Sequence, residues 1–194
     1  MLNITERALL QSLTELLEER PLDKINVKDI TDRCGLTRNT FYYHFHDVYD
    51  ALDCYFENEI QQLLSRYEKD EDWSDGFLEG LQFVYEHKVM IEHIYNFVDW
   101  KELRDYLDSI IFKYALTVIG KEFKKTDYPV KVKEITAEFY SSALLGATVK
   151  WIKDGMVEKP EFLATLYNNV FYGTVEQTFE SIAESLKQKY YFSE

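Results

Sequence analysis

Between Pro21 and Asp47 the chain has room for two helices of roughly two turns each, separated only by Gly35-Leu36-Thr37. A longer helix precedes them. Asn3 and Glu6 stand in capping-box spacing. Leu9, Leu13, Leu16 and Leu17 then recur at one helical face, and Pro21 stops the run. Asn26 can cap a second helix over Val27–Cys34, with Val27, Ile30 and Cys34 turned inward. Gly35 falls where a left-handed residue would end that helix. Leu36 is expected as a buried turn residue, and Thr37 can cap a third helix running to about His44. One long and two short helices with so tight a turn have the spacing of a helix-turn-helix.

The rest of the chain repeats the helical period. Asp47, with Asp50 three residues on, starts a fourth helix through Leu52, Phe56, Ile60, Leu63 and Leu64 to about Tyr67. Lys69 to Asp75 is polar and acidic and marks a break. Further helices are expected at about Ser74–His87, Val89–Phe97, Lys101–Lys124, Pro129–Asp154 and Pro160–Gln188. Pro129 and Pro160 sit where a first helical residue tolerates proline, and Gly155 ends the penultimate helix. With three prolines, seven glycines and 46% apolar residues, the chain reads as an all-α protein of about nine helices with a sizeable core.

No run of about 18 apolar residues could span a membrane, and no secretion signal is visible, so a cytoplasmic protein with no membrane partner is expected. Cys34 and Cys54 lack metal or redox spacing and read as reduced structural thiols. The net charge of −13 runs against nucleic-acid binding. It is unevenly spread, however. From Lys24 to His46, Lys24, Lys28, Arg33 and Arg38 stand against Asp29 and Asp32, a balance of +2 that leaves −15 for the remainder. A locally basic module on an acidic body can still bind DNA, with weak non-specific affinity.

On the third helix Phe41 and Phe45 point one way, with Leu36 beneath them. Asn39 and Tyr43 point the other way, flanked by Thr40 and Tyr42, with Arg38 at the helix start. Asn can pair with an adenine edge, Arg with guanine, and ring or methyl atoms with a thymine methyl. Thr37 and the open N–H groups at the helix start suit a phosphate, and Lys28 suits the opposite backbone. The plainer alternative is a solvated polar face on an ordinary short helix.

The stretch from Ile25 to Phe45, INVKDITDRCGLTRNTFYYHF, resembles the DNA-binding signature of the TetR/AcrR family: a β-branched pair before the second helix, a Cys-Gly-Leu-Thr turn, then Thr-Phe-Tyr-x-His-Phe. The resemblance implies that Thr37, Arg38, Asn39, Thr40, Tyr42, Tyr43 and His44 face DNA. Tyr42 and His44 would hold phosphates, while Arg38, Asn39 and Tyr43 would approach base edges. Two positions depart from the pattern. Asn39 stands where glycine is common, and Val48 where a lysine usually meets phosphate, which raises the weight on Lys28 and Thr37. The implied organisation is a helix-turn-helix DNA-binding domain over 1–47 and a larger helical effector-binding and dimerisation domain over 48–194. The C-terminal part resembles the dihydroxyacetone-kinase-regulator branch through His93-Ile94-Tyr95-Asn96 and Trp151-Ile152-Lys153-Asp154-Gly155.

Small residues from Ala137 to Ala147 and the apolar series of the last helix would let two helices pair with their two-fold mates. Ala143, Gly146, Ala147, Leu166, Val170, Gly173 and Phe179 are the expected interface of a homodimer on a palindromic operator. Tyr85, His93, Tyr95, Tyr106, Tyr114, Phe139, Tyr140 and Trp151 could line a pocket for a small effector of unknown identity, or serve as core packing. No nucleophile elbow, phosphate loop or nucleotide fingerprint appears, so neither catalysis nor a cofactor is expected. His87 and His93, six positions apart beside Glu86 and Glu92, make at best a weak metal site. The sequence therefore predicts a sequence-specific DNA-binding regulator, a repressor released by its effector. The alternative is a co-regulator of the same fold that acts through another protein.

Overall fold

The computed structural model describes residues 2–67, 73–95, 108, 111–113, 115–116, 119–120 and 130–191; for Leu64, Tyr67, Trp73, Glu176, Phe179, Ala183 and 186–191 only the backbone is described. Among the described residues there are eight α-helices, one short 3-10 helix and no strand. In chain order they are α1 (Ile4–Glu19), the 3-10 turn Leu22–Lys24, α2 (Val27–Cys34), α3 (Arg38–His44), α4 (Val48–Tyr67), α5 (Trp73–Glu86), α6 (Lys88–Tyr95), α7 (Val130–Lys153) and α8 (Pro160–Tyr191). The described residues between 108 and 120 are also helical. The chain forms two compact units, Met1–Leu103 and Arg104–Glu194.

The first unit is organised around α1, which packs on α2, α4 and α6. Its helix begins at a complete capping box. Asn3 Oδ1 accepts the Glu6 N–H, and Glu6 Oε2 accepts the Asn3 N–H, both at 2.9 Å. The buried face holds Leu9, Leu10, Leu13, Leu16 and Leu17, as the spacing predicts, and also Ser12. Ser12 Oγ donates to the Ile30 carbonyl of α2 at 2.8 Å, so a hydroxyl is tolerated in this seam because its hydrogen bond crosses to the neighbouring helix.

The caps of α2 and α3 also follow the sequence. Asn26 and Asp29 make a second capping box, and Thr37 Oγ1 accepts the Thr40 N–H at 3.2 Å. Gly35 is left-handed, with φ 70° and ψ 24°. Its conformation lets the Leu36 N–H reach back to the Thr31 carbonyl at 2.9 Å. Leu36 itself is only half-buried, and so are Val27 and Cys34. The core beneath the turn is instead closed by Ile30, Thr31, Phe41 and Phe45. Thr31 can occupy that core because its Oγ1 bonds to the carbonyls of Val27 and Lys28 within its own helix.

Asp47 caps α4, accepting the N–H groups of Tyr49 and Asp50, while Asp50 Oδ2 accepts from the His46 N–H at 2.7 Å. Leu52 and Phe56 are buried; Ile60 and Leu63 are half-buried. The compact division at Leu103 groups α4, α5 and α6 with the three-helix module.

In the second unit α7 packs on α8. The inner face of α7 carries Val132, Thr136, Ala137, Tyr140, Ser141, Leu144, Leu145 and Trp151. Opposite stand Leu163, Ala164, Phe171 and Val175. Tyr140 and Phe171 meet edge to face at 5.0 Å. The end of α7 is a Schellman motif: Met156 N–H to the Trp151 carbonyl, Gly155 N–H to the Ile152 carbonyl, and Gly155 at φ 83°. Pro160 opens α8, the position the sequence predicted for it.

Two consequences follow for stability. No atom lies within 4 Å of a Cβ added at Gly35, so Gly35→Ala pays only for the left-handed backbone. It should destabilise the chain by about 1 kcal/mol, and Gly35→Asn by less, read from urea midpoints with unchanged slope. A larger loss would mean that hidden packing, not φ, selects the glycine. The second concerns Tyr55 on α4, whose phenol is pushed up to about 12 by burial first and by the Glu59 and Glu18 carboxylates next. Its folded-state value lies above the unfolded one near 10, so the unfolded chain sheds the proton first and stability falls as pH rises from about 10 to 12. Tyr55→Phe should flatten that part of the stability–pH curve; parallel curves for the two proteins would refute the assignment.

Candidate nucleic-acid interface

Burial of one ring sets the whole face of α3. Phe41 is fully buried and stacks at a tilt on Phe45 at 5.6 Å. With that edge inside, Arg38, Asn39, Tyr42 and Tyr43 are exposed, Tyr43 at 84% of its free surface. Thr37 is exposed at the helix start, and Thr40 is half-buried beside it with the two hydroxyls 2.8 Å apart. One short helix therefore presents an amide, a guanidinium and two phenols to solvent from one side.

His44 is placed differently. Its side chain is only 12% exposed, and its Nδ1 lies 3.3 Å from Glu6 Oε1 on α1. The Tyr43 and His44 rings meet edge to face at 5.0 Å. Glu6 thus caps α1 with one oxygen and faces the end of α3 with the other. The sequence shows Glu6 as a capping residue but gives no sign of its second contact, which joins positions far apart in the chain.

The local positive charge is also redistributed. Arg33 is held by Glu19 at 2.7 Å and Glu15 at 3.8 Å, on the side facing α1. Lys24 pairs with the adjacent Asp23 at 2.8 Å. Lys28 has only a loose contact with Asp32 at 3.9 Å, and Arg38 makes no ion pair among the described residues. At the starts of α2 and α3, Lys28 and Arg38 are thus less engaged by carboxylates than Arg33 and Lys24. Lys28 and Arg38 both line one open groove of about 590 Å³, together with Asn26, Tyr42, Val48 and Tyr49, where the starts of α2, α3 and α4 converge. Asn26 and Tyr49 were not expected there; only their cap and helix-start positions were legible.

The remaining expected sites separate into groups. Tyr85, His93 and Tyr95 lie in the first unit, and Phe139, Tyr140 and Trp151 in the second; Tyr106 and Tyr114 fall outside the described residues. Tyr85 is exposed, Tyr95 half-buried, and Phe139 points outward at 63% exposure. Tyr140 and Trp151 are buried. The Tyr140 hydroxyl lies 2.7 Å from Thr174 Oγ1, and Trp151 Nε1 donates to the Glu158 carbonyl at 3.0 Å. His93 Nδ1 sits 2.7 Å from the Leu17 carbonyl of α1.

The small-residue series of α7 divides into two faces. Ala137 and Ser141 are turned toward α8, while Ala143 and Gly146 are exposed and Ala147 is half-buried. On α8, Leu166, Val170 and Gly173 are exposed, and the side chain of Phe179 lies outside the described set. No group of three metal-ligating side chains and no helix long and apolar enough to cross a membrane occur among the described residues.

Residues 9–47 match the family model for bacterial regulatory proteins of the tetR family. Residues 71–173 match the model for the C-terminal region of such transcriptional regulators. The HTH-type dhaKLM operon transcriptional activator DhaS of Lactococcus lactis is 25% identical over 134 residues, covering 64% of this chain and 66% of that protein. A solved dihydroxyacetone kinase operon activator DhaS superposes with a TM-score of 0.75 at 21% identity, covering 89% of this chain and 97% of that one. NalD, the secondary repressor of the MexAB-OprM efflux pump in Pseudomonas aeruginosa, superposes with a TM-score of 0.63 at 17% identity over 87% and 94% of the two chains. The likeness to dihydroxyacetone kinase regulators expected from the sequence is matched by the two DhaS proteins. The chain belongs to the TetR family of DNA-binding transcriptional regulators.

Proposed function

We propose that the protein is a homodimer that reads a palindromic operator with α3 and controls transcription by occupying it. The observation that carries the reading is the exposed edge of α3, where Arg38, Asn39 and Tyr43 stand clear of the module while Phe41 is locked inside. Arg38 and Asn39 have the donor patterns for guanine and adenine edges, and Tyr43 the reach for a base or its methyl group. Lys28, Thr37, Thr40 and Tyr42 would hold the phosphate backbone around them. His44 would act from beneath, since only its ring edge away from Glu6 is left for a phosphate. Val48 lines the same groove but adds no charge, so non-specific affinity is weak and specificity rests on short-range contacts.

The dimer reading is supported by the outer faces of α7 and α8. Ala143, Gly146 and Gly173 would let helices approach closely, while Leu166 and Val170, 45% and 52% exposed, supply apolar surface beside them. A two-fold pairing there, to which Ala147 and Phe179 belong in the sequence pattern, would present two α3 helices to successive major grooves. Release by a small effector is the further part of this reading. Its support is narrower than the aromatic composition suggests, because His93, Tyr140 and Trp151 have polar atoms engaged within the fold.

A second reading has its own observation. The DhaS relatives are named activators, and this chain is strongly acidic, so a co-regulator acting through another protein is the alternative.

Selection of bound duplexes from a random library should enrich a palindrome, and Tyr43→Ala should reduce discrimination at one base pair per half-site by about 1–3 kcal/mol. No enrichment at low salt would remove direct reading and favour the co-regulator. Sedimentation of the wild-type chain should show a dimer at micromolar concentration, and Leu166→Glu should shift it toward monomer by burying an unpaired charge. A wild-type monomer under those conditions would contradict the palindrome model.

A further inference from the structure

The last turn of α1 ends on a backbone problem that the sequence itself creates. A helical carbonyl is ordinarily met by the N–H four residues on. The Leu16 carbonyl is met in this way by Arg20, at 3.0 Å. The Leu17 carbonyl would look to residue 21, which is proline and has no N–H. Leu17 is fully buried, so water is not an easy substitute. The donor comes from another helix: His93 Nδ1 lies 2.7 Å from this oxygen, across 76 positions of sequence. A carbonyl only accepts, so the proton of the pair is on Nδ1 of His93.

His93 lies on α6, whose Met90, Ile91 and Ile94 are buried in the same unit. The adjoining residue of α1 is gripped from the same side, with Glu18 Oε1 3.7 Å from His87 Nδ1. Along its length α1 is bound into the reading module: Ser12 to Ile30, Glu19 and Glu15 to Arg33, and Glu6 to His44. A constraint on Leu17 is therefore a constraint on the module as a body.

We propose that His93 is a positioning residue for DNA reading: its hydrogen bond to the carbonyl left open by Pro21 fixes α1, and with it α3, on α6. The inference rests on the proposed reading of a palindrome by the α3 helices of two protomers. The hydrogen bond is short, directional and made to a buried acceptor, so its removal leaves that acceptor unsatisfied and loosens the α1–α6 seam without touching any group that would meet DNA. A single half-site asks only that one α3 fit its groove. A palindrome asks that two of them be held at a set separation, so it is the DNA that senses the tether.

The test uses the full chain with three variants. His93→Asn places an amide N–H near the position of Nδ1. His93→Gln places it further out, near Nε2, and His93→Ala removes it. Affinities are measured for the selected palindrome and for half of it. Separately, the distance between spin labels on Asp32→Cys of α2 and Glu92→Cys of α6 is measured in a chain with both native cysteines replaced by serine, with labelled chain diluted in unlabelled. His93→Ala should weaken palindrome binding about tenfold, leave the half-site nearly unchanged and broaden the distance distribution. His93→Asn should restore both. If His93→Ala does not fold, the same contrast is read between the Asn and Gln variants, with only Gln broadened. Equal weakening on both DNAs, or a distance distribution unchanged by loss of the donor, would overturn the proposal. If the wild-type chain binds neither DNA, the DNA-reading assignment fails, and the distance distributions still decide whether His93 holds the module in place.

Discussion

The exposed face of α3 depends on the burial of Phe41. A helix of seven residues is well below the length at which hydrogen bonding alone sustains it, so α3 persists only because something outside it holds it. Full burial of a phenylalanine is worth about 1.5–3 kcal/mol, and Phe45 one turn on adds a second anchor on the same edge. Once these two rings are inside, the helical period leaves no freedom for the rest. Asn39, Tyr42 and Tyr43 must project outward, and no separate force is needed to expose them. The polar face that a DNA reader requires is the complement of a packing decision.

The packing decision holds because helix ends are satisfied one by one. A short helix has nearly as many unpaired backbone groups as paired ones, and each buried orphan costs about as much as a lost hydrogen bond. Asn3 with Glu6, Asn26 with Asp29, Thr37, and Asp47 meet the amino ends; left-handed Gly35 lets the chain fold back so that Leu36 meets the end of α2. Pro21 is the exception that shapes the assembly. By withholding an N–H it forces α1 to take its donor from α6, and a local stop signal becomes a tertiary contact.

These distinctions explain what the sequence made legible. Caps and periods act over three or four residues, and so Asn3, Asn26, Thr37, Asp47 and the leucine stripe of α1 could be assigned from spacing alone. The exposed edge of α3 was legible for the same reason, since Phe41 and Phe45 recur at the helical period. The contacts that escaped are those between distant segments. Ser12 with Ile30, Glu6 with His44 and His93 with Leu17 join positions 18, 38 and 76 apart, and no local pattern marks either partner. The same limit affected the aromatic set. Tyr140 and Trp151 look like pocket lining in a list of residues, yet each uses its polar atom to close its own unit. The compact division at Leu103 reflects which helices α1 touches, not where composition changes.

The acidic balance then takes on a definite meaning. Arg33, which counts toward the basic segment on paper, is held by two glutamates of α1 and stiffens the module. Lys24 is matched by Asp23. The groove carries Lys28 and Arg38 together with Asp23 and Asp47, in a chain of net charge −13. Each phosphate neutralised contributes a salt-dependence slope of about 0.9, so a module with few cations at its groove would gain little from counterion release. Beyond a Debye length of roughly 8 Å the acidic body is screened from DNA, whereas contacts at α3 are made well inside that length. Under the proposed reading, a protein built in this way would have little hold on random sequence and would draw its affinity from base edges and from two reading helices presented at once. The hold of α1 on its neighbours, including the bond from His93, would then serve binding as well as folding.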